Sequence, residues 1–174
     1  MFESISHWIE KHLKLQVNRD KSGTGRPWQR KFLGFRLSQD GEIGIAPSRL
    51  EAYKARVCQL WDVRQSLTSR ELVANWRRYV YGWWNYFGLA VDRLDRLSGW
   101  TRRHMRKCFW QRWHSRRGRI NTLKRLGVKP RQLKRVGFHA GAWRAARHPA
   151  MHVGLSNSRL RQYHLVTPND LAVS

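Results

Sequence analysis

The period of the apolar positions changes along the chain, and each change predicts an element. Ile5, Trp8, Ile9, His12 and Leu13 fall at helical spacing, which predicts a short helix over 5–17. A polar, glycine-bearing loop over 18–25 follows. The runs Lys31–Leu37 and Gly41–Ala46 read as two strands. Between them Ser38-Gln39-Asp40-Gly41 carries Asp-Gly, a strong hairpin signal. Pro47 ends the sheet, and Ser48 with Glu51 three positions on reads as a capping box for a helix to about Trp61. Thr68 and Glu71 form a second box. After it, Leu72, Trp76, Tyr79, Trp83 and Tyr86 recur at steps of four, three, four and three. Such a stripe reads as bundle core in preference to a base-stacking platform, because stacking needs exposed rings. Gly88 is the expected stop.

A long helix is predicted over 92–115. Leu94, Leu97, Thr101, Met105, Cys108 or Phe109, and Trp113 line one side of it. Asp92 and Asp95 sit in its first turn, where carboxylates suit the helix dipole, and Gly118 is its expected end. Shorter helices are predicted over 121–126, 130–136 and 156–164, the first two stopped by Gly127 and Gly137. The stretch 138–149 is rich in Gly and Ala around Trp143, and the tail beyond Thr167 is expected to be loose. The expected architecture is mainly α: a helical bundle preceded by a small α/β piece with a β-hairpin. Its divisions fall at 1–47, 48–166 and a tail, 167–174.

Composition narrows the function. The chain has 174 residues, of which 41% are apolar, with ten Trp, so it buries a core and is no disordered polycation. Lys and Arg number 35 against 11 Asp and Glu, a net charge of +24. The imbalance is lopsided: Met1 to Asp95 holds 16 basic and 10 acidic residues, whereas Arg96 to Asn169 holds 19 basic residues and no acid. Self-repulsion opposes folding, so a polyanionic partner is expected. Arg outnumbers Lys 26 to 9. The rigid guanidinium fork favours nucleic acid over a membrane surface, and charge that serves solubility alone mixes signs. No apolar run approaches the ~20 residues of a membrane span, and Met1 to Glu10 do not form a signal-peptide core. Cys58 and Cys108 alone make neither a disulfide framework nor a zinc site, and a reducing cytoplasm is the expected compartment.

Catalytic groupings do not emerge. The close acids Asp92 and Asp95 are explained as a helix cap. His104 and Cys108, four apart, form a metal edge without further ligands, so simple packing is the favoured reading. His139, His148 and His152 lie near no acid or Cys, and Ser22-Gly23-Thr24-Gly25 lacks the strand-to-helix setting of a nucleotide cradle. No catalytic residue, metal or cofactor is therefore expected. Binding chemistry remains. The segment 102–135 carries fourteen Lys and Arg. Arg102, Arg103, Arg106, Lys107 and Arg112 lie on the long helix. Arg116, Arg117 and Arg119 follow at a helix end where side chains splay toward phosphates. Lys124, Arg125, Arg131, Lys134 and Arg135 come next. Lys21, Arg26, Arg30 and Lys31, with Arg77 and Arg78, complete the candidate RNA-binding set. Neither zinc finger nor zipper is visible, so RNA, recognised by shape and backbone, is the expected partner.

Several motifs are more specific. Leu13-Lys14-Leu15-Gln16-Val17-Asn18, Lys21-Ser22, Arg26-Pro27-Trp28 and Lys31-Phe32-Leu33-Gly34-Phe35 resemble the end of the palm in group II intron reverse transcriptases. Gly82-Trp83-Trp84-Asn85-Tyr86-Phe87-Gly88-Leu89-Ala90 is similar to the Gly-Trp-x-Asn-Tyr-Phe signature of their maturase-specific thumb, or X, domain. Leu123 to Val128, Trp143-Arg144, and Leu155-Ser156-Asn157 with Leu160 resemble the family's closing pattern. The resemblance implies a protein that binds group II intron RNA, assists splicing and supports reverse transcription. It implies that Phe32, Leu33, Gly34 and Phe35 lie beside the primer grip and that the following helices cradle an RNA/DNA template–primer duplex. The family's Tyr-Ala-Asp-Asp polymerase motif does not occur in these residues, and no Asp-Asp pair does. The expectation is a non-catalytic C-terminal portion whose Met1 corresponds to an internal methionine of a longer frame. Its hairpin, no longer covered by a palm, offers an exposed edge for self-association.

Overall fold

The computed structural model describes residues 1–90, 94–134, 136 and 141–172. Asp92, Arg135, Gly137, and Phe138 with His139 from the Gly/Ala-rich stretch lie outside the described residues. The architecture is mainly α, with ten helices and one small antiparallel sheet among the described residues.

Helix α1 (Phe2–Trp8) runs into a wide π-type turn at Ile9–Leu13 and stops where Lys14 takes a left-handed conformation (φ 54°). The helix thus ends short of Val17. Its apolar side finds no cover: Ile5, Trp8 and Leu13 stay exposed.

The expected single strand over 31–37 is two strands. β1 (Lys31–Phe32) and β2 (Phe35–Leu37) pair antiparallel around a two-residue turn at Leu33 and Gly34, and Phe32 faces Phe35 across it. Both turn residues have positive φ, 51° and 87°, the requirement of a primed hairpin turn. Gly34 meets it without strain, whereas Leu33 carries a Cβ into a region it disfavours. The Ser38–Gly41 turn then forms as the sequence predicts, closed by Gly41 N–H to Ser38 O at 3.2 Å. β3 (Ile43–Ile45) completes the order β1-β2-β3.

α2 (Pro47–Leu60) starts on Pro47 itself, with Ala46 as cap residue. Proline supplies φ and lacks only an N–H that has no partner in a first turn, so the expected Ser48–Glu51 box is not made; Glu51 pairs with Lys54 instead. The second box does form. Thr68 Oγ1 accepts from Glu71 N–H, and the Glu71 carboxylate accepts from Thr68 N–H at 2.7 Å, opening α3 (Ser69–Phe87). On α3 Leu72, Trp76, Val80, Trp83 and Phe87 are buried. Tyr86, predicted inward, is exposed and Phe87 replaces it, because successive turns of 3.6 residues drift off a strict seven-residue repeat.

α4 (Asp95–Arg112) buries Thr101, Met105, Cys108 and Trp110. Gly118 does not end it. The chain re-enters helix at once as α5 (Arg116–Arg125), where Ser115 Oγ accepts from Gly118 N–H at 3.0 Å. Gly127 (φ 80°) closes α5: Val128 N–H reaches back to Leu123 O and Gly127 N–H to Lys124 O. α6 (Pro130–Leu133), α7 (Ala142–Ala146) and α8 (Pro149–Gly154) are short. α9 (Asn157–Gln162) is capped by Ser156.

The expected loose tail is a helix, α10 (Pro168–Leu171), with its own box between Thr167 and Asp170. Thr167 is fully buried, and Asn169 N–H donates to Ser98 Oγ on α4. One core joins the bundle. Tyr53 from α2 and Trp61 at its C-terminal cap pack on Trp76 and Trp83 from α3 with ring centroids 4.8–6.5 Å apart. Trp76 Nε1 donates across to Val166 O at 2.8 Å. Leu72, Trp76 and Trp83 of the stripe are therefore core, as its period predicts, with Tyr79 half-buried and Tyr86 outside.

Candidate nucleic-acid interface

The basic residues separate into those spent inside the fold and those that face water. Arg106 belongs to the first group. It is 3% exposed; Nε donates to Leu155 O at 2.9 Å and Nη2 to Asn157 Oδ1 at 2.8 Å, tying α4 to α9. Burial, then the charges of Arg102 and Arg103, lowers its pKa to about 10, so it remains a cation at neutral pH. Arg102 pairs with Asp170 on α10 at 2.8 Å. Arg112 donates to Leu67 O. Arg119 donates to Trp110 O and lies over the Trp110 ring, 4.7 Å from its centroid. These four arginines of the candidate RNA-binding set also hold helices together; a planar fork of donors suits a carbonyl or carboxylate as well as a phosphate.

The second group is exposed. Arg116, Arg117, Lys124 and Arg125 lie on α5, while Leu123 on the same helix points inward. Arg131 and Lys134 continue the surface at α6, which packs against α5 and α8. Arg116 and Arg117 start a helix, an end where the dipole disfavours cations. Arg77 and Arg78 are exposed on α3, which packs chiefly on α2 and α10, so they form a separate patch. Lys21, Arg26, Arg30 and Lys31 are exposed too; Arg30 donates to Thr24 O and Arg26 lies over Trp28.

A small polar notch of about 210 Å³ lies where α4, α7 and α8 meet. Arg102, Arg103 and Arg106 line it from α4, Arg147 from the end of α7 and His152 from α8. Arg147 and His152 are absent from the sequence-derived set. They arrive because the small, buried Ala145 and Ala146 let α7 lie close on α4. No local signal marks Arg147; its neighbours on α4 are more than forty residues away in sequence. Part of the His152 ring is open to water, yet desolvation and then Arg106 and Arg103 hold its pKa below the ordinary value.

His104 and Cys108 both pack. The His104 ring sits 4.1 Å from Trp100 and edge-on to Trp143 at 4.5 Å, and Cys108 is fully buried, which pushes its thiol pKa up. Lys107 caps the Trp143 ring at 5.0 Å.

The hairpin tip is fastened to the bundle. Tyr86 Oη donates to Leu33 O at 2.8 Å, and Phe35 stacks on Tyr86 and packs on Phe87. Phe32 and Leu33 stay exposed, Phe32 at 73%. Two motifs far apart in sequence, Phe32–Phe35 and Gly82–Ala90, therefore meet in space.

Fold and surface define a helical-bundle domain with exposed basic faces. Residues 50–127, from α2 through α5, match the family model described as "Group II intron, maturase-specific domain". The match supports a maturase of the group II intron type, and it contains the aromatic stripe of α3, all of α4 and the basic face of α5. No curated protein matches the chain. Among the described residues no helix is long and apolar enough to cross a membrane.

Proposed function

We propose that the chain acts as a non-catalytic maturase domain that binds structured group II intron RNA in the cytoplasm and assists its splicing. The observation that carries this reading is the 19 basic residues, with no acid, from Arg96 to Asn169, which overlap the maturase-specific match on α4 and α5. The exposed set Arg117, Lys124, Arg125, Arg131 and Lys134 supplies the phosphate contacts. The half-buried Arg112 and Arg119, which donate to Leu67 O and Trp110 O, shape the scaffold beneath.

Binding to a folded intron transcript should weaken steeply with salt, by on the order of 10³–10⁵-fold between 50 and 200 mM if ~6–10 phosphates are contacted. Changing the five exposed residues to Gln should flatten that slope by several units while thermal unfolding stays unchanged. A slope equal to that of the parent protein would sink the assignment.

The hairpin tip bound to α3 favours one further reading, that this unit supports a template–primer duplex for a polymerase acting in trans. Primer extension by the chain alone should then stay at background. An inactive remnant would bind RNA without promoting splicing. The exposed apolar face of the sheet supports self-association.

A further inference from the structure

A guanidinium removed from water needs a counter-charge, and buried charges in proteins are ordinarily paired. Arg106 is 97% buried by its 3% exposure, yet its two bonds go to neutral acceptors, Leu155 O and Asn157 Oδ1. Its charged neighbours share its sign. Arg102 has Asp170, but among the described residues no carboxylate lies within ion-pair distance of Arg103, Arg106 or Arg147. All of them line the same notch with His152. The cluster is electrostatically unfinished, and a small anion would complete it.

The size of the space selects the ligand. About 210 Å³ is below the ~300–1,000 Å³ of sites that enclose drug-sized molecules. Its lining comes from four guanidinium groups, an imidazole and an amide, with Gly99 and Ala146 as the small residues that leave it open. Arg forks match tetrahedral oxyanions, and in a partly desolvated site each such bond is stronger than at the surface.

We propose that the notch between α4, α7 and α8 is a built site for one phosphate group, supplied by the backbone of the bound RNA. The proposal deepens the RNA-binding reading and rests on it. The notch fixes the register of the RNA on the bundle, while the α5–α6 face contributes looser, additive contacts.

The test uses the full chain, with inorganic phosphate and a folded intron transcript as separate probes. Side-chain ¹⁵N spectra of His152 should show its pKa rising as phosphate is added, with saturation, because an anion beside it and Arg106, Arg103, Arg102 and Arg147 stabilises the imidazolium. Arg147→Ala removes an exposed guanidinium. It should weaken phosphate at least tenfold, lower the salt slope of RNA binding by about 1, and leave thermal unfolding unchanged. Gly99→Leu fills the notch without altering charge, since a side chain there meets no neighbour at its base, and should block phosphate equally.

A His152 titration indifferent to phosphate would overturn the site while leaving RNA binding by the α5–α6 face intact. Saturable phosphate binding with an unchanged RNA slope in Arg147→Ala would overturn the backbone source and leave a site for free phosphate. Loss of all transcript binding in the parent protein would instead remove the RNA reading itself.

Discussion

His104 is 5% exposed and wedged between the indoles of Trp100 and Trp143. Burial, then the charges of Lys107 and Arg103, lowers its pKa from 6.5 to about 4. The unfolded chain therefore binds more protons than the folded one between those values. Stability is full above about pH 6.5 and falls as the pH drops through about 4, by on the order of 3 kcal/mol from this residue. Denaturant unfolding across that window should show the decline, and His104→Phe, which keeps an aromatic ring between the indoles, should remove most of it. The part that persists belongs to His152, whose pKa is lowered in the same sense. Equal slopes in the two proteins would mean that His104 takes up its proton as readily in the fold as in the unfolded chain.

At the scale of elements, α10 shows how four residues become structural. Asp170 closes the box with Thr167 through Thr167 N–H at 2.8 Å and Thr167 Oγ1 at 2.7 Å, and pairs with Arg102 across to α4. Burial opposes ionisation of Asp170, but the bonds from Thr167 and Arg102 outweigh it and hold the carboxyl below its usual range. This contribution is present above the unfolded carboxylate pKa of about 3.9 and is lost as the pH falls through the folded value. Asp170→Ala should cost about 2–4 kcal/mol in urea unfolding at neutral pH, because it leaves Arg102 without its partner and α10 without its cap. A change within about 0.5 kcal/mol would show that α10 detaches freely. Composition hides this helix, since a terminal Thr-Pro-Asn-Asp reads equally as a polar tail; what holds it is Ser98 and Arg102 on α4.

The whole molecule is asymmetric. A dense aromatic core holds α2, α3 and α4 together, while the sheet carries an open apolar face. Phe32, Phe35, Leu37, Ile43 and Leu89 line a cavity of about 400 Å³ there. β1 and β3 are both edge strands, which invite pairing with another chain. If a second copy covers this face, sedimentation equilibrium should show a concentration-dependent dimer that Phe32→Lys abolishes without lowering the unfolding midpoint. A protein that stays monomeric at all concentrations would leave the face without a self-partner.

Much of this was legible beforehand wherever the cause is local. The Thr68–Glu71 box, the Ser38–Gly41 turn, the Gly127 stop and the aromatic period of α3 follow from residues within a turn or two of one another, so the chain determines them by itself. Helical period also placed Arg102, Arg103 and Lys107 off the apolar side of α4. Tertiary structure decided the rest: the break of the 31–37 strand at Leu33 and Gly34, the start of α2 on Pro47, and above all which arginines remain for a ligand. Arg106 finds its acceptors 49 and 51 residues away and Arg102 its carboxylate 68 residues away. A long cationic side chain has the same local preferences whether it ends in water, on a carbonyl or beside a phosphate, so only the packing of distant helices sets its role.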